Sequence, residues 1–381
     1  MTEDISRIES VKSKVDSPAY LLDDKLLENN CKSLGQLQKE TGVSILLALK
    51  AFSVPSAFKI ISPHLTGTCA SSLNEARIAS EHFGKEIHVY SPAYNDDDFD
   101  ELLEYASCIV FNSFTQWRKY KDRITRSNID IGIRFNAGHS KDDIKLYDAR
   151  AADCRLGAEL DSLQGFDFER INGLHCHALF RGSAEDFTTL WRTIEPTIGP
   201  LLKNMQWLNF GGGHLLTDPN YNLEILKPLL IEIQEKYALQ VYLEPGQAVV
   251  SNAGYLIATV LDIPREGFAI VDCSPIAHMP EVLEMSSAPV LIGAEVGNKR
   301  KHVYQIGSNS CVSGDVIGKY SFKQPLKPGD RLVFSDMAHY TMVRNSNFNG
   351  LKTPSIYHLR SSGQVDLIKR FTYDDFFSRL S

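Results

Sequence analysis

The chain has 381 residues, 43% of them hydrophobic and 23% charged, with a formal net charge of −7. This composition excludes a disordered chain, and the acidic balance argues against a nucleic-acid binder, which relies on surplus Lys and Arg. Small molecules are therefore the expected partners. No segment is apolar enough for a membrane helix, and residues 1–15 lack the apolar core of a signal peptide, so we expect a cytoplasmic protein with no membrane partner.

A strand-like segment, PAYLLDD from Pro18, comes first in the chain and could pair with the strands that follow. The next segment carries Leu27, Cys31, Leu34 and Leu37 at helical spacing, which predicts a helix with one apolar face. Gly42 is placed to end that helix.

Eight short apolar runs then alternate with helix-length segments. Near-continuous apolar strands separated by helices predict parallel strands with helical crossovers, and eight such units predict an α/β fold of the (β/α)8 TIM-barrel type. A doubly wound sheet is the alternative. The runs are ILLALK from Ile45, GTCAS from Gly67, IHVYS from Ile87, CIVFN from Cys108, IGIRFN from Ile131, GLHCH from Gly173, WLNFGGG from Trp207 and VYLEPG from Val241.

From about Ala253 the pattern changes to short strands broken by Pro and Gly, which predicts a C-terminal all-β domain. The predicted division is an N-terminal strand segment joining the β-domain (1–25), the barrel (26–252) and the β-domain (253–381). The predicted strands of this domain are YLIATVLDI, FAIVDC, PVLIGAEV, HVYQIGS, DRLVFSD and SIYHLR.

Polar residues that follow the barrel strands are the candidate site residues, because the active groups of TIM barrels lie at the C-terminal strand ends. Lys50 follows the first run and is flanked by apolar residues, where desolvation would lower the pKa of its amine and suit it to a Schiff base. The alternative is a lysine that extends into water. Glycines 211–213 follow the seventh run, a common phosphate-binding position. Glu244 ends the eighth run, where a protonated pyridine nitrogen would be a suitable cationic partner.

His175 and His177 alternate along the sixth run and are expected to point to the same side of the strand. Three interpretations remain open: a metal site, a structural pair, or an imidazole stacked on an aromatic cofactor. No H-E-x-x-H or comparable spacing is present, and we expect no metal. The seven scattered cysteines contain no C-x-x-C pair, so neither a disulfide framework nor a zinc ribbon is indicated.

The motifs together resemble the fold-type-III pyridoxal-phosphate decarboxylases, a family that includes ornithine, arginine and diaminopimelate decarboxylases and shares its architecture with alanine racemase. The resemblance spans most of the chain and implies a PLP-binding barrel, a C-terminal β-domain and pyridoxal 5'-phosphate as the cofactor. Its nine markers are SPAYLLDD at Ser17, LLALKAF around Lys50, CASSLNE from Cys69, IRFN at Arg134, GLHCH ending at His177, NFGGG ending at Gly213, EPG from Glu244, SCVSGD around Cys311 and MAHYTMVRNSNFNG around Tyr340.

The resemblance also implies a role for each matching residue. The catalytic residues would be Lys50, which binds the cofactor, His177, which stacks on its ring, and Cys311, which returns a proton to the substrate. The cofactor would further be held by Arg134, Gly211, Gly212, Gly213, Glu244 and Tyr340. Residues near the substrate would be Gln247, Asp272, Glu281 and Asp315.

Within the family, HALF at His177 and CVSGDVIG from Cys311 are most similar to the group acting on carboxynorspermidine and carboxyspermidine. This implies removal of the α-carboxylate from a carboxylated polyamine in polyamine biosynthesis. It further implies a homodimer with shared active sites, in which Cys311 and Asp315 of one subunit complete the site of the other. Gln247 stands where this group is expected to have Glu, and where the ornithine and diaminopimelate enzymes have Arg.

Four alternatives remain at this stage. A related decarboxylase could act on another cationic amino-acid-like substrate, such as diaminopimelate, ornithine or lysine. An alanine-racemase-like enzyme would need a tyrosine near Cys311, and NSCVSGD contains none. A non-catalytic PLP carrier would not need the β-domain, and a metal-dependent barrel hydrolase would use His175 and His177 as ligands.

Overall fold

The computed structural model describes residues 2–125, 128–138, 148–149, 151 and 153–381. The chain forms two compact units, one made of Asn29–Val249 and the other of Met1–Glu28 with Val250–Ser381.

In chain order the strands are β1 (Ala19–Asp23), β2 (Ser44–Ala48), β3 (Gly67–Ala70), β4 (Glu86–Tyr90), β5 (Cys108–Phe111), β6 (Asp130–Asn136), β7 (Ala158–Glu159), β8 (Gly173–His175), β9 (Trp207–Asn209), β10 (Gln240–Leu243), β11 (Gly254–Arg265), β12 (Phe268–Val271), β13 (Glu295–Val296), β14 (His302–Ser308), β15 (Val316–Phe322), β16 (Arg331–Ser335), β17 (Ser355–Leu359) and β18 (Val365–Lys369). The α-helices are α1 (Thr2–Val11), α2 (Asp24–Thr41), α3 (Pro55–Ile61), α4 (Leu73–His82), α5 (Asp96–Tyr105), α6 (Phe114–Tyr120), α7 (Ala184–Leu202), α8 (Leu223–Tyr237), α9 (Gln247–Val250), α10 (Pro275–His278), α11 (Glu281–Glu284) and α12 (Tyr373–Phe377).

Eight parallel strands of the described chain close into a barrel, which confirms the predicted fold class. The order around the barrel is β5-β4-β3-β2-β10-β9-β8-β6, and the pairing of β5 with β6 completes the circle. Each of these strands overlaps one of the eight predicted apolar runs, and most strand residues are buried, as expected where helices cover a parallel sheet. The doubly wound sheet is excluded by the closure. β7 adds a two-residue pairing to β6.

The first predicted helix is confirmed as α2. Its four apolar positions, at 27, 31, 34 and 37, are all buried, and Gly42 follows the helix with a φ of +77°. A glycine tolerates this left-handed conformation, which ends a helix without steric cost.

The second unit contains a mixed sheet in the order β13-β15-β14-β12-β11-β1-β17-β18, and β16 pairs with β11. β1 lies in this sheet, antiparallel to β11 and parallel to β17, rather than against a barrel strand. The sequence did not predict α1, β15 or β18. It predicted a strand over PVLIGAEV, but only Glu295 and Val296 form one there, and three short helices interrupt the unit.

An apolar cluster ties the N-terminal residues to this sheet. Ile8 and Val11 of α1 are buried against the face of the sheet, together with Val15. Arg7 forms an ion pair with the buried Asp23 at the end of β1, with the Nη1 and Oδ2 atoms 2.9 Å apart. Residues 1–28 are therefore an integral part of the sheet unit.

Candidate active site

The C-terminal ends of the barrel strands bring several of the predicted site residues to one end of the barrel. Lys50 follows β2 by two residues, Glu244 follows β10 directly, and His177 follows β8 by two residues. Arg134 lies near the end of β6, and the glycine segment 211–213 follows β9. We call this end of the barrel the mouth.

Lys50 is exposed, so the predicted apolar enclosure of its amine is wrong. Ala51 and Phe52 are fully buried, and the Ala51 N–H donates to the carbonyl of Ala48 at 3.0 Å. This tight turn keeps the two apolar neighbours in the core while the lysine side chain leaves it. The charge of Lys50 nevertheless acts on the mouth, because it contributes to lowering the pKa of Glu244 and of His177.

Glu244 is a buried carboxylate that remains ionised. Its Oε1 atom accepts a hydrogen bond from Asn209 Nδ2 at 2.7 Å, and its Oε2 atom lies 3.6 Å from His175 Nε2. Burial raises the pKa of Glu244, but His175, the bond from Asn209 and the charge of Lys50 outweigh it, and the net shift is downward. Burial lowers the pKa of His175 to about 4, so its imidazole is neutral at pH 7. A buried carboxylate in this state can hold a proton on a basic ligand nitrogen.

His177 contacts the glycine segment directly. Its Nδ1 atom accepts a hydrogen bond from the Gly212 N–H at 2.8 Å, and burial with the charges of Lys50 and Arg134 lowers the pKa of His177 well below its usual value. Gly211 has a φ of +65°, and a Cβ atom there would lie 2.4 Å from His177 Nδ1. Only glycine permits this approach, which places the imidazole directly against the backbone of the glycine segment.

The two histidines have different contacts. His175 faces Glu244 and the ring of Tyr90, whose centroid is 5.5 Å away, whereas His177 bonds to the glycine segment. Within the described ranges, no group of three or more His, Cys, Asp or Glu residues is placed to hold a metal ion. His214, which directly follows the glycine segment, is buried beside Phe187.

Arg134 is buried between His177 and Tyr90. Its Nη2 atom donates to the carbonyl of His177 at 3.3 Å, and its guanidinium lies 4.6 Å from the centre of the Tyr90 ring. Among the described residues its Nε atom has no hydrogen-bond partner. Because a buried polar atom without a partner is costly, this atom is a candidate for contact with a bound ligand.

Sequence reasoning missed four polar residues at the mouth: Glu75, Tyr90, Asn112 and Asn209. Tyr90 donates to Asn112 Oδ1 at 2.7 Å, and Glu75, at the start of α4, accepts from the Ser71 N–H at 2.6 Å. All four end or closely follow a barrel strand, so the strand-end rule that identified Lys50 would have found them too.

Gln247 begins α9, three residues after Glu244, and is half-buried. It belongs to the barrel unit. A neutral amide therefore occupies the position where an arginine or a glutamate was considered.

The remaining predicted site residues belong to the sheet unit. Cys311 is exposed, and its N–H donates to Asn349 Oδ1 at 3.0 Å. Tyr340 has a φ of +54° and its ring meets that of His339 edge-on. Asp272 accepts from the Thr259 N–H at 2.8 Å, which links β12 to β11.

Glu281, at the start of α11, lies within 3.9 Å of His339 Nδ1 through its Oε2 atom. The opposite ring nitrogen of His339 is 3.2 Å from Asp336 Oδ2. Asp315 is buried at the base of the Cys311 loop. The structure thus places the predicted substrate residues Asp272, Glu281 and Asp315 in one unit, each already engaged in contacts with its own unit.

The barrel residues fit pyridoxal phosphate. An exposed primary amine, an ionised carboxylate in a buried position and a neutral imidazole match the aldehyde, the pyridine nitrogen and the ring face of that cofactor. In the glycine segment, which side chains would obstruct, the N–H groups of Gly211 and Gly212 donate to Asn209 Oδ1 and His177 Nδ1, so a phosphate group would meet the backbone at Gly213.

Comparisons with known proteins agree with this chemistry. Residues 88–338 match the family model described as "Pyridoxal-dependent decarboxylase, C-terminal sheet domain". The carboxyaminopropylagmatine decarboxylase of Synechocystis sp. is 38% identical over 372 residues, which cover 97% of this chain and 96% of that protein. The carboxynorspermidine/carboxyspermidine decarboxylase of Campylobacter jejuni is 36% identical over 95% of this chain and 98% of that protein.

A solved structure shows the same relationship. The crystal structure of carboxynorspermidine decarboxylase from Campylobacter jejuni, complexed with norspermidine, superposes with a TM-score of 0.90 and 35% sequence identity. The match covers 96% of this chain and 100% of that one. A diaminopimelate decarboxylase from Helicobacter pylori, at 16% identity and a TM-score of 0.80, shares the fold.

Proposed function

Because the chain belongs to the pyridoxal-dependent decarboxylases, we propose that it removes the α-carboxylate of a carboxylated polyamine such as carboxynorspermidine or carboxyspermidine. The reaction class follows from the family, and the substrate class is the proposed part. The observation that carries the chemistry is the ionised, buried Glu244 at the same mouth as the Lys50 amine.

Pyridoxal phosphate, when bound, supplies an electron sink for the electrons left behind as carbon dioxide departs. Lys50 would hold the cofactor through its Nζ atom. Glu244 would keep a proton on the pyridine nitrogen, since Asn209 and Lys50 favour its ionised form. Because this site is preorganised by the fold, no reorganisation is needed when charge develops.

Three further groups would hold the cofactor in place. His177 would cover one face of the ring, and its neutral state avoids placing a cation against a protonated pyridine. The Gly213 amide and the Arg134 guanidinium would bind the phosphate, because the N–H groups of Gly211 and Gly212 already donate to Asn209 and His177. Arg134 has one buried Nε atom available for this purpose within the described chain.

Cys311 would donate the proton that replaces the lost carboxylate at the substrate α-carbon. Its thiol lies on an exposed loop, so it is accessible to a reaction centre outside its own sheet unit. The thiolate left behind would then regain a proton from water. A cysteine suits this role because its usual pKa lies within reach of neutral pH.

We further propose a homodimer in which Cys311 of one subunit completes the mouth of the other. Val312 and Phe348 are exposed large apolar residues near Cys311, and such residues are common at subunit interfaces. Mixing Lys50→Ala homodimers with Cys311→Ala homodimers, which retain only low residual activity, should restore about a quarter of wild-type activity, because random exchange gives half heterodimers with one intact site each. No recovery despite verified exchange would show that each subunit supplies its own cysteine.

The named relatives support a second candidate substrate. The Synechocystis protein, at 38% identity, is named for a derivative of agmatine, which ends in a guanidinium rather than an amine. Both candidate classes carry an α-carboxylate next to a long cationic chain. Gln247, a neutral amide, can accept a hydrogen bond from either cationic end.

A kinetic panel separates these possibilities. We expect a higher kcat/KM for carboxynorspermidine, carboxyspermidine or carboxyaminopropylagmatine than for ornithine, lysine or meso-diaminopimelate. Gln247→Glu should improve the preferred polyamine reaction by about tenfold or more, because a charged acceptor adds roughly 1.5–3 kcal/mol to a contact with a cation. If diaminopimelate has the highest kcat/KM, the substrate proposal is wrong.

We propose that the enzyme acts in cytoplasmic polyamine biosynthesis. None of the seven cysteines, all of which lie among the described residues, forms a disulfide, and this suits a reducing compartment. In the part of the chain that the structure describes, no helix has the length and apolar content needed to cross a membrane.

A further inference from the structure

The loop that carries Cys311 has an exposed tip and a buried anchor. The Ser308 N–H donates to the Asp315 carbonyl at 3.1 Å and closes the loop at its base. Cys311 and Val312 at the tip are exposed, whereas Asp315 is only 2% exposed. The position of the thiol therefore depends on what holds Asp315.

Donors from its own sheet unit surround the Asp315 carboxylate. Its Oδ2 atom accepts from Ser274 Oγ and Ser310 Oγ at 2.6 Å each and also from Ser308 Oγ. Its Oδ1 atom accepts from the Ile276 N–H at 2.9 Å. Each carboxylate oxygen has about two acceptor sites, so Oδ2 is fully used, and the burial of the residue leaves a substrate ammonium little access to Oδ1.

The same carboxylate joins the Cys311 loop to α10. Ser274 caps the start of α10, where its Oγ atom accepts from the Ala277 N–H at 3.1 Å, and Ile276 lies within that helix. Burial raises the pKa of Asp315, but the hydrogen bonds from Ser274, Ser308 and Ser310 outweigh it and lower the pKa overall. The charged carboxylate thus connects the Cys311 loop to α10 through hydrogen bonds, and it is not exposed for binding a ligand.

We propose that Asp315 is a positioning residue, which fixes the loop so that the Cys311 thiol is held for proton transfer, and that it does not bind substrate. This inference rests on the proposed role of Cys311 as the proton donor. It replaces the role that the sequence implied for Asp315. The role of the neighbouring acidic residue Glu281 is unaffected.

A double-mutant cycle between Asp315→Asn and Cys311→Ala tests the proposal. Asp315→Asn should lower kcat by about tenfold or more and leave KM within about twofold, because the contact is not with substrate. In the Cys311→Ala background the same substitution should add no further loss of kcat, since its effect passes through the thiol. Ser310→Ala, which removes one hydrogen-bond donor to the Asp315 carboxylate, should give the same pattern with a smaller loss of kcat.

Three outcomes would overturn the proposal. A rise in KM of about tenfold or more with kcat retained would make Asp315 a substrate-binding residue. A further loss of kcat in the double variant would show that Asp315 acts independently of Cys311. Full kcat in Cys311→Ala alone would show that Cys311 is not the proton donor. This result would contradict the proposed function, and it differs from the two results above, which contradict only the role of Asp315. If the Asp315→Asn variant does not fold, Ser310→Ala in the wild-type and Cys311→Ala backgrounds provides an equivalent double-mutant cycle.

Discussion

The same strands contribute side chains to both ends of the barrel, but the side chains at the two ends differ in type and in contacts. Successive residues on one face of a strand are two positions apart, so each strand contributes to both ends. The mouth receives residues with polar atoms available to a ligand, and the opposite end receives a packed aromatic group. The paired positions are His88 and Tyr90 on β4, Gly132 and Arg134 on β6, Gly173 and His175 on β8, and Trp207 and Asn209 on β9.

At the N-terminal end, the Trp207 ring lies against the backbone of two neighbouring strands. A Cβ atom on Gly173 would be 2.1 Å from the ring, and one on Gly132 would be 2.3 Å away. The His88 ring completes the group, with its centroid 4.6 Å from that of Tyr242. This end of the barrel is closed by contacts that leave no space for a ligand between the tryptophan and the two glycines.

The mouth has a different composition, although both ends contain buried polar atoms without a hydrogen-bond partner among the described residues. At the mouth these are both ring nitrogens of His175 and the Nε atom of Arg134, and in the aromatic group they are His88 Nδ1 and Trp207 Nε1. Such atoms lower stability unless a ligand or water satisfies them. The contrast between the ends is therefore that aromatic rings packed on glycines fill one of them, whereas the predicted cofactor-binding residues of the barrel gather at the other.

The largest expected effect is on activity, at the mouth. Lys50→Ala should lower kcat/KM by about 10³-fold or more, because the amine that holds the cofactor is lost. The thermal midpoint should change little, since Lys50 is exposed. Borohydride reduction followed by peptide mass spectrometry should find the cofactor on Lys50 in the wild type and on no lysine in the variant. Reduced cofactor still attached in the variant would contradict the assignment.

The next effect is on stability, at the opposite end. Gly173→Ala should lower the free energy of unfolding by about 1–3 kcal/mol, because the added methyl group would overlap the Trp207 ring. Denaturant unfolding measures this loss, and Trp207→Phe in the same chain should recover part of it. An unchanged midpoint would show that the aromatic group is loosely packed and would remove the contrast between the two ends.

A pH-dependent effect is expected beside the glycine segment. Burial lowers the pKa of His214 to about 4, whereas an unfolded chain binds this proton below about pH 6.5. The unfolded state therefore gains protons first as the pH falls from 6.5 towards 4, and stability decreases in that range. His214→Phe should remove about 2 kcal/mol of this loss at pH 5, measured by urea unfolding at pH 7 and pH 5. Parallel stability curves for the two proteins would contradict the assignment.

The smallest effect is expected where α8 ends, on the loop that leads into β10. Ala238 has a φ of +52°, a left-handed conformation that glycine adopts more easily. Ala238→Gly should raise the free energy of unfolding by up to about 1 kcal/mol, with kcat unchanged because the loop lies at the end of the barrel opposite the mouth. A fall in kcat would show that this end of the barrel also influences the reaction.

The sequence predicted the barrel well because buried parallel strands are apolar throughout and α2 repeats its apolar residues every three or four positions. It failed for α1, a largely polar helix that packs Ile8 and Val11 against a sheet formed by residues far away in the chain. It also failed for β18, where Leu367 and Ile368 are exposed and no alternation marks a buried face. In these segments the structure depends on long-range partners that local patterns do not reveal.

For the candidate site, too, the sequence predicted local features and missed those that depend on long-range contacts. Strand ends identified Lys50, His177 and Glu244, because position in a barrel is a local property. The exposure of Lys50 and the four donors around Asp315 depend on turns and on residues far apart in the chain, such as Ser274. The sequence therefore predicts which residue types lie at the site and at which strand end. It does not predict which of their hydrogen-bonding atoms are already used by other residues.

The position of β1 has a consequence for how the chain is made. Ala19 pairs with Ile257 of β11 on one side and with Ser355 of β17 on the other, so β1 lies between a strand that directly follows the barrel and one that is synthesised about 100 residues later. The barrel can close once residue 249 has emerged, but β1 keeps both edges unpaired until β11 follows, and one edge unpaired until β17 is made. Exposed strand edges are sites of aggregation, and long-range pairing is slow. The nascent chain is thus expected to depend on chaperones at this stage, and a fragment that begins at residue 253 would lack the central strand of its own sheet.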